Sequence, residues 1–469
     1  MLRYIIIILF YVLLVISFLL KLPTTYNNVA AGAILIGTYF LYKKIPILGI
    51  CTLPFALLLG VIVRFKFGSV SINLGDFVIF TIVTSFFVNT YSGKINIKLF
   101  QSPQFALIGF LLALCTIFSI DLLSSLITLI TIVEMFFVFL ITMKSIQSTS
   151  DKYSLINSWI YAVSLSSILI ILAYFKGIPL IITEDVGFKN QYINLIQGDN
   201  FFYRASFFVA PFIFPHACVI ISLFILLFFK EKYKLENVLN VLLLLINVIA
   251  MILMGNKSVM GGVVISITAF LLWAMRFKLF FRKIVFFTGI FFIAGLILNA
   301  LLTQIISAGQ LNLFYDRFGN NRSFDLRLGV WSNVVLELFN NPHMFLIGLG
   351  PDVSIRNAGT PFFQNLFRAG GIQQGSVDSG FLFYVINYGV IITTIIILTF
   401  YKTLVTIHKR FKREPFLYAL LFFPVLCWFV MSFTQQHGIS KPAFLIIHYF
   451  AIVYTKYSNV YASKHSEIS

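Results

Sequence analysis

The feature that most constrains this chain is a succession of apolar windows, each near the length that crosses a bilayer, broken by one long polar stretch. A hydrocarbon layer about 30 Å thick takes roughly 20 helical residues to cross. Windows of this kind run from Tyr4 to Leu20, Asn28 to Tyr42, Ile45 to Val63, Leu74 to Val88, Gln104 to Ile120, Leu122 to Met143 and Ile156 to Phe175. They continue with Phe207 to Phe229, Val238 to Met254, Met260 to Trp273, Ile284 to Leu302, Ser379 to Phe400, Phe416 to Phe433 and Lys441 to Tyr457. The pattern predicts an all-α polytopic bundle of about fourteen transmembrane helices, with a tight turn at Asp121. Composition agrees, since 59% of the 469 residues are hydrophobic, 11% are charged and the mean hydropathy is +0.97, whereas roughly a quarter of an ordinary soluble domain is charged.

The formal net charge of +18 would suggest nucleic acid in a soluble protein, but here its distribution along the chain gives it a plainer reading. With the N-terminus inside, alternate loops hold 21 of the 34 Lys and Arg, among them Lys43, Lys44, Lys152, Lys230, Lys232, Arg410 and Arg413. The positive-inside rule then predicts cytoplasmic termini and an external polar stretch, and no nucleic-acid partner is expected. The first apolar run is too long for a signal-peptide core and lacks a small-residue cleavage site, so it reads as an uncleaved anchor. Cys51, Cys115, Cys218 and Cys427 all fall inside apolar windows without metal-ligand spacing, so neither a disulfide nor a metal site is expected.

The polar stretch runs from Thr303 to Asp378, and its only Lys or Arg residues are Arg317, Arg322, Arg327, Arg356 and Arg368. A guanidinium offers a planar fork that binds an oxyanion through two hydrogen bonds, whereas an ammonium is a hydrated point charge. Five acids, Asp316, Asp325, Glu337, Asp352 and Asp378, balance the five arginines, which argues for specific sites over a diffuse electrostatic field. Within the stretch, Ser323 to Phe339 reads as an amphipathic helix lying on the membrane, with Ser323 as N-cap and Asn340, Asn341 and Pro342 as stop. Leu328, Trp331, Val335 and Leu338 form its expected apolar face. Arg327 near the positive end of the helix dipole is unfavourable unless an anion is close; a diphosphate held with Arg322 would satisfy it, and so would an ion pair with Asp325. The domain reading is one integral-membrane unit over residues 1–469, with a first external loop at 176–206 and the main one at 303–378. In the first loop, Arg204 stands at the mouth of a span containing Pro211, Pro215 and His216; it reads either as lining a cavity beside a kinked helix or as reaching headgroups.

Asn341-Pro342-His343 leads to Gly348-Leu349-Gly350-Pro351, and Asp378-Ser379-Gly380 opens a segment reaching Asn387-Tyr388-Gly389. With the Arg- and Trp-bearing helix before them, Arg204-Ala205-Ser206, and the Gly255-Asn256-Lys257-Ser258 turn, these motifs resemble the O-antigen polymerase and ligase superfamily, most closely the Wzy-type polymerases. The resemblance covers Arg204 to Gly389. Two departures are Lys257-Ser258 where the family often has Ser-Arg, and Asp378-Ser379 where ligases typically carry a His. The resemblance implies a GT-C-like, metal-independent membrane glycosyltransferase of lipopolysaccharide biosynthesis in the bacterial inner membrane. It would join undecaprenyl-diphosphate-linked repeat units at the periplasmic face, without a cofactor, with the bilayer and a chain-length regulator as its implied partners. Arg204, Lys257, Arg317, Arg322 and Arg327 would hold the departing diphosphate, and Asp378 or His343 would take the acceptor proton. Asp378 also reads as a helix cap with Ser379, and His343 as part of a turn. O-antigen ligase is the alternative within the family, and a lipid-linked oligosaccharide flippase the alternative outside it, supported by Glu134 deep in an apolar window.

Overall fold

The computed structural model describes residues 9, 11–16, 24–59, 64–67, 70–90, 103–176, 213–229, 235–254, 257–275, 322–351, 353–357, 360–369, 372–373, 379–432 and 443–455. In chain order the helices and strands begin with α1 (Thr24–Lys44), α2 (Pro46–Ile50), α3 (Leu53–Leu59), β1 (Arg64–Phe67), β2 (Val70–Asn73), α4 (Leu74–Thr90), α5 (Pro103–Ile117), α6 (Leu122–Ser145) and α7 (Thr149–Lys176). Then follow α8 (Ile213–Phe229), α9 (Leu235–Met254), α10 (Lys257–Ala274), α11 (Arg322–Asn340), α12 (Pro342–Leu346), α13 (Val353–Arg356) and α14 (Pro361–Leu366). The remainder is β3 (Arg368–Ala369), β4 (Ile372–Gln373), α15 (Gly380–Phe411), α16 (Pro415–Met431) and α17 (Phe444–Tyr454). The strands form two antiparallel hairpins, with Arg64 opposite Asn73 in one and Arg368 opposite Gln373 in the other.

The expectation of about fourteen transmembrane helices is corrected. Among the described residues three helices are long and apolar enough to cross a membrane: Leu122–Ser145, Thr149–Leu172 and Gly380–Phe411. The other apolar stretches run 10–17 described residues, and their packing is helix against helix. Local chemistry explains part of the shortfall. Pro46 and Pro54 each stand at the start of a short helix, so the window Ile45 to Val63 becomes α2 and α3 joined at Cys51 and Thr52, and a β-hairpin follows. Proline suits a first helical turn but cannot continue an earlier helix. Lys152, counted above among cytoplasmic loop cations, is 1% exposed in the first turn of α7. That turn is closed by a capping box in which Asp151 Oδ2 accepts from the backbone of Gln147 and Ser148 while Ser148 Oγ accepts from Asp151 N.

The multi-pass inner-membrane placement with both termini cytoplasmic rested on the larger count and falls with it. So do the GT-C-like scaffold and the glycosyltransferase reading built upon it, which covered the Wzy-type O-antigen polymerase of lipopolysaccharide biosynthesis and its ligase and flippase alternatives.

The chain forms two compact units. The first comprises Met1–Ile95, Val133–Ser166 and Lys441–Ser469. Its core contains Tyr11 stacked on Phe55 at 5.4 Å, α1 against α4, and the buried pair Trp159 and His448, in which Trp159 Nε1 donates to His448 Nδ1 at 2.8 Å. Since Nδ1 accepts, the ring proton sits on Nε2, which is buried without a partner. The second unit comprises Asn96–Ile132 and Ser167–Ser440. There α8 packs on α9, α10 and α16, and Ser167 Oγ donates to Asn247 Oδ1 at 2.9 Å to tie α7 to α9. A second cluster joins α11, α12, α14 and α15 around Val330, Val334, Leu338, Met344, Phe363, Phe367, Phe383 and Ile386.

Trp159→Phe keeps an aromatic side chain but removes the Nε1 donor, so among the described residues the His448 ring would lack partners at both nitrogens. Leaving a buried polar group unpaired costs about 1–3 kcal/mol. The variant is expected to lose that much stability in denaturant unfolding, and a change below 0.5 kcal/mol would contradict the pairing.

Candidate functional site

The site is built around a break in α15. Gly389 lies inside this helix at φ 74° and ψ 167°, a region that only glycine adopts without strain. The break removes the following N–H groups from the carbonyls of Ile386 and Asn387, and a buried carbonyl left alone is costly. A second chain segment supplies the missing donors: Leu349 N donates to Ile386 O at 2.8 Å and Gly350 N donates to Asn387 O at 3.0 Å. Cys115 Sγ also donates to Asn387 O, at 3.2 Å, and Leu349 O accepts from Ile120 N at 3.1 Å. Burial pushes the Cys115 thiol up to about 12, so it serves as a protonated donor.

This approach needs bare backbone on both sides. Gly348 and Gly350 have φ of 83° and 116°; a Cβ on Gly348 would strike Asn387 O, and one on Gly389 would strike Leu346 O. Asn387 then locks the junction with its side chain: Oδ1 accepts from Ser354 N at 2.9 Å, while Nδ2 donates to Ser354 Oγ and to Phe383 O, each at 2.8 Å.

The turn between α5 and α6 completes the arrangement. Asp121 caps α6 by accepting from Ser124 N at 3.1 Å and Ser124 Oγ at 2.6 Å, and its Oδ2 also accepts from Asn357 Nδ2 at 2.9 Å. Ser119 Oγ lies 2.6 Å from Ser125 Oγ, beside the bare Cα of Gly350. The tight turn expected at Asp121 is thus present, and its carboxylate fixes the end of α13.

Of the residues singled out above, His343 is exposed on α12, its ring edge-on to Phe118 at 6.1 Å. Arg322 and Arg327 fall in the first two turns of α11, and Lys257 opens α10. Arg204, Arg317 and Asp378 lie outside the described residues, whereas Ser379 is the N-cap of α15 and accepts from Leu382 N. The helix expected over Ser323 to Phe339 is present as Arg322–Asn340, but its buried face differs. Val330, Val334 and Leu338 are buried, while Leu328, Val335, Leu336 and Phe339 are exposed, Phe339 by 77%. The packed face is rotated by roughly 80° from the expected one, because α12, α14, α15 and β3 contact the other side. Phe345 and Leu346 on α12 and Phe362 on α14 are also exposed.

Asn387, Ser354, Asn357 and Asp121 were not foreseen as a group; the available signals were the Asn-Tyr-Gly and Gly-x-Gly motifs, which imply special backbone but not each other. Comparison with known protein families, curated proteins and solved structures finds no match to this chain.

Gly389→Ala combines positive φ with a clash against Leu346 O, and is expected to cost at least ~2 kcal/mol in thermal unfolding. A wild-type melting curve would contradict the break as described.

Proposed function

We propose that this chain binds a lipid carrying a phosphate head, of the polyprenyl-diphosphate-saccharide class. The observation that carries the reading is the exposed apolar row on α11, Leu328, Val335, Leu336 and Phe339, on a helix whose first two turns hold Arg322 and Arg327. An apolar row that remains exposed after the opposite side has packed marks a binding surface, and large apolar residues suit an isoprenoid tail. Arginines at a helix N-terminus suit a diphosphate, since the fork and the dipole both favour an anion. The resemblance of the Gly348–Pro351 and Asn387–Gly389 motifs to the O-antigen polymerase and ligase superfamily, if it holds, implies the same ligand class. The reading is one of recognition, and no transfer reaction is assigned to it.

The test compares binding of undecaprenyl diphosphate and undecaprenol to the full-length protein in detergent micelles. The diphosphate is expected to bind about tenfold or more tightly, equivalent to about 1.4 kcal/mol, and the paired change Arg322→Lys with Arg327→Lys should erase that preference. Phe339→Ser should weaken both ligands alike. Equal affinity for the two lipids, or indifference to Phe339→Ser, would overturn the reading.

A further inference from the structure

The end of α15 and its turn into α16 gather positive charge that the α11 reading does not use. Residues 402–414 hold five Lys and Arg, at Lys402, Lys409, Arg410, Lys412 and Arg413, against one acid, Glu414. All five are exposed, as is His408. A helix C-terminus favours cations because its dipole leaves about half a negative charge there, and five cations far exceed what that offsets. Cations on adjacent residues repel one another within a screening length of about 8–10 Å, so an anionic partner stabilises the cluster.

The helix changes character just before the cluster. Ile391, Leu398, Lys402 and Lys409 are spaced by seven, four and seven residues, which sets them on one stripe of α15, and all four are exposed. Leu398 is 57% exposed, and Tyr401, 64% exposed, stands where the stripe turns from apolar to basic. Aromatic rings continue at the level of the turn: His408 is edge-on to Tyr418 at 5.9 Å, and Tyr418 stacks on Trp273 of α10 at 5.3 Å. Aliphatic, then aromatic, then basic is the order of the acyl, interfacial and headgroup layers of a lipid leaflet.

We infer that this end of α15 docks on an anionic lipid surface. Ile391 and Leu398 meet acyl chains, Tyr401 lies at the interface, and Lys409, Lys412 and Arg413 engage the phosphate-bearing headgroups. Lys402 lays its methylene stem along the apolar part of the stripe and raises its ammonium to the same headgroups. A soluble acidic protein would satisfy the charge but leave the exposed apolar part of the stripe without a partner. An interfacial contact of this kind requires no helix to cross the bilayer.

The test floats full-length protein, diluted from detergent, with vesicles of phosphatidylcholine and with vesicles of equal parts phosphatidylcholine and phosphatidylglycerol. Each cation near an anionic surface adds roughly fivefold to affinity. Wild type is therefore expected to bind the mixed vesicles at least about thirtyfold more tightly in dilute salt, with the preference shrinking as salt is raised. Lys409→Gln with Lys412→Gln and Arg413→Gln should cut that preference at least tenfold. Lys43→Gln with Lys44→Gln and Lys144→Gln removes the same charge from exposed positions elsewhere and should preserve it. Leu398→Ser with Tyr401→Ser should weaken binding to both kinds of vesicle. All of these positions are exposed, so the variants should melt as wild type does. Equal binding to the two vesicles, or an equal loss of preference in the two triple variants, would overturn the docking surface. Undiminished binding in Leu398→Ser with Tyr401→Ser would show charge acting alone, which assigns the turn to a soluble acidic macromolecule and overturns the lipid surface.

Discussion

The second unit depends on one exchange of hydrogen bonds. A helix that breaks at Gly389 strands two carbonyls, and the Leu349 and Gly350 amides satisfy them from another part of the chain. Neither half is stable alone: the break leaves buried acceptors empty, and the Gly-x-Gly segment has its own donors to place. Because the two backbones meet directly, a Cβ at Gly348, Gly350 or Gly389 would have no room, which is why three glycines with positive φ gather there. The Asn387 side chain then bonds Ser354 twice, accepting from its backbone N–H and donating to its hydroxyl, so the short helix α13 is set against α15, and the Asp121 bond to Asn357 sets its far end against the α5–α6 turn.

The fixed junction decides which side of α11 is buried. With α12 and α15 held in place, Val330, Val334 and Leu338 face the packed cluster, and the remaining apolar residues of α11 are left outside. A helix apolar over more than half its circumference has two candidate faces, and only its neighbours choose between them. The exposed row is therefore a consequence of the α15 break, reached through packing and not through the helix's own sequence.

This explains what the amino-acid sequence made legible. The limits of α11 were readable to within one residue, because Ser323 and Asp325 at its start and Asn-Asn-Pro at its end are local signals, although the helix begins at Arg322 and so takes Ser323, expected as the N-cap, into its first turn. The Asp121 turn and the Ser379 cap were readable for the same reason. The face of α11 was not, since it is set by tertiary contacts, and the windows that suggested fourteen spans measured apolarity without the stops imposed by Pro46 and Pro54. The pairing of Gly348–Gly350 with Ile386 and Asn387 was beyond reach, because glycines announce unusual backbone but carry no address for their partner.

Amide hydrogen exchange at Leu349 and Gly350 tests the exchange of hydrogen bonds most directly. Both amides belong to a short connecting segment, where exchange is ordinarily fast. If they donate to the stranded carbonyls of α15, they will be protected to the same degree as the interior amides of that helix. Exchange at the rate of exposed loop amides would contradict the account.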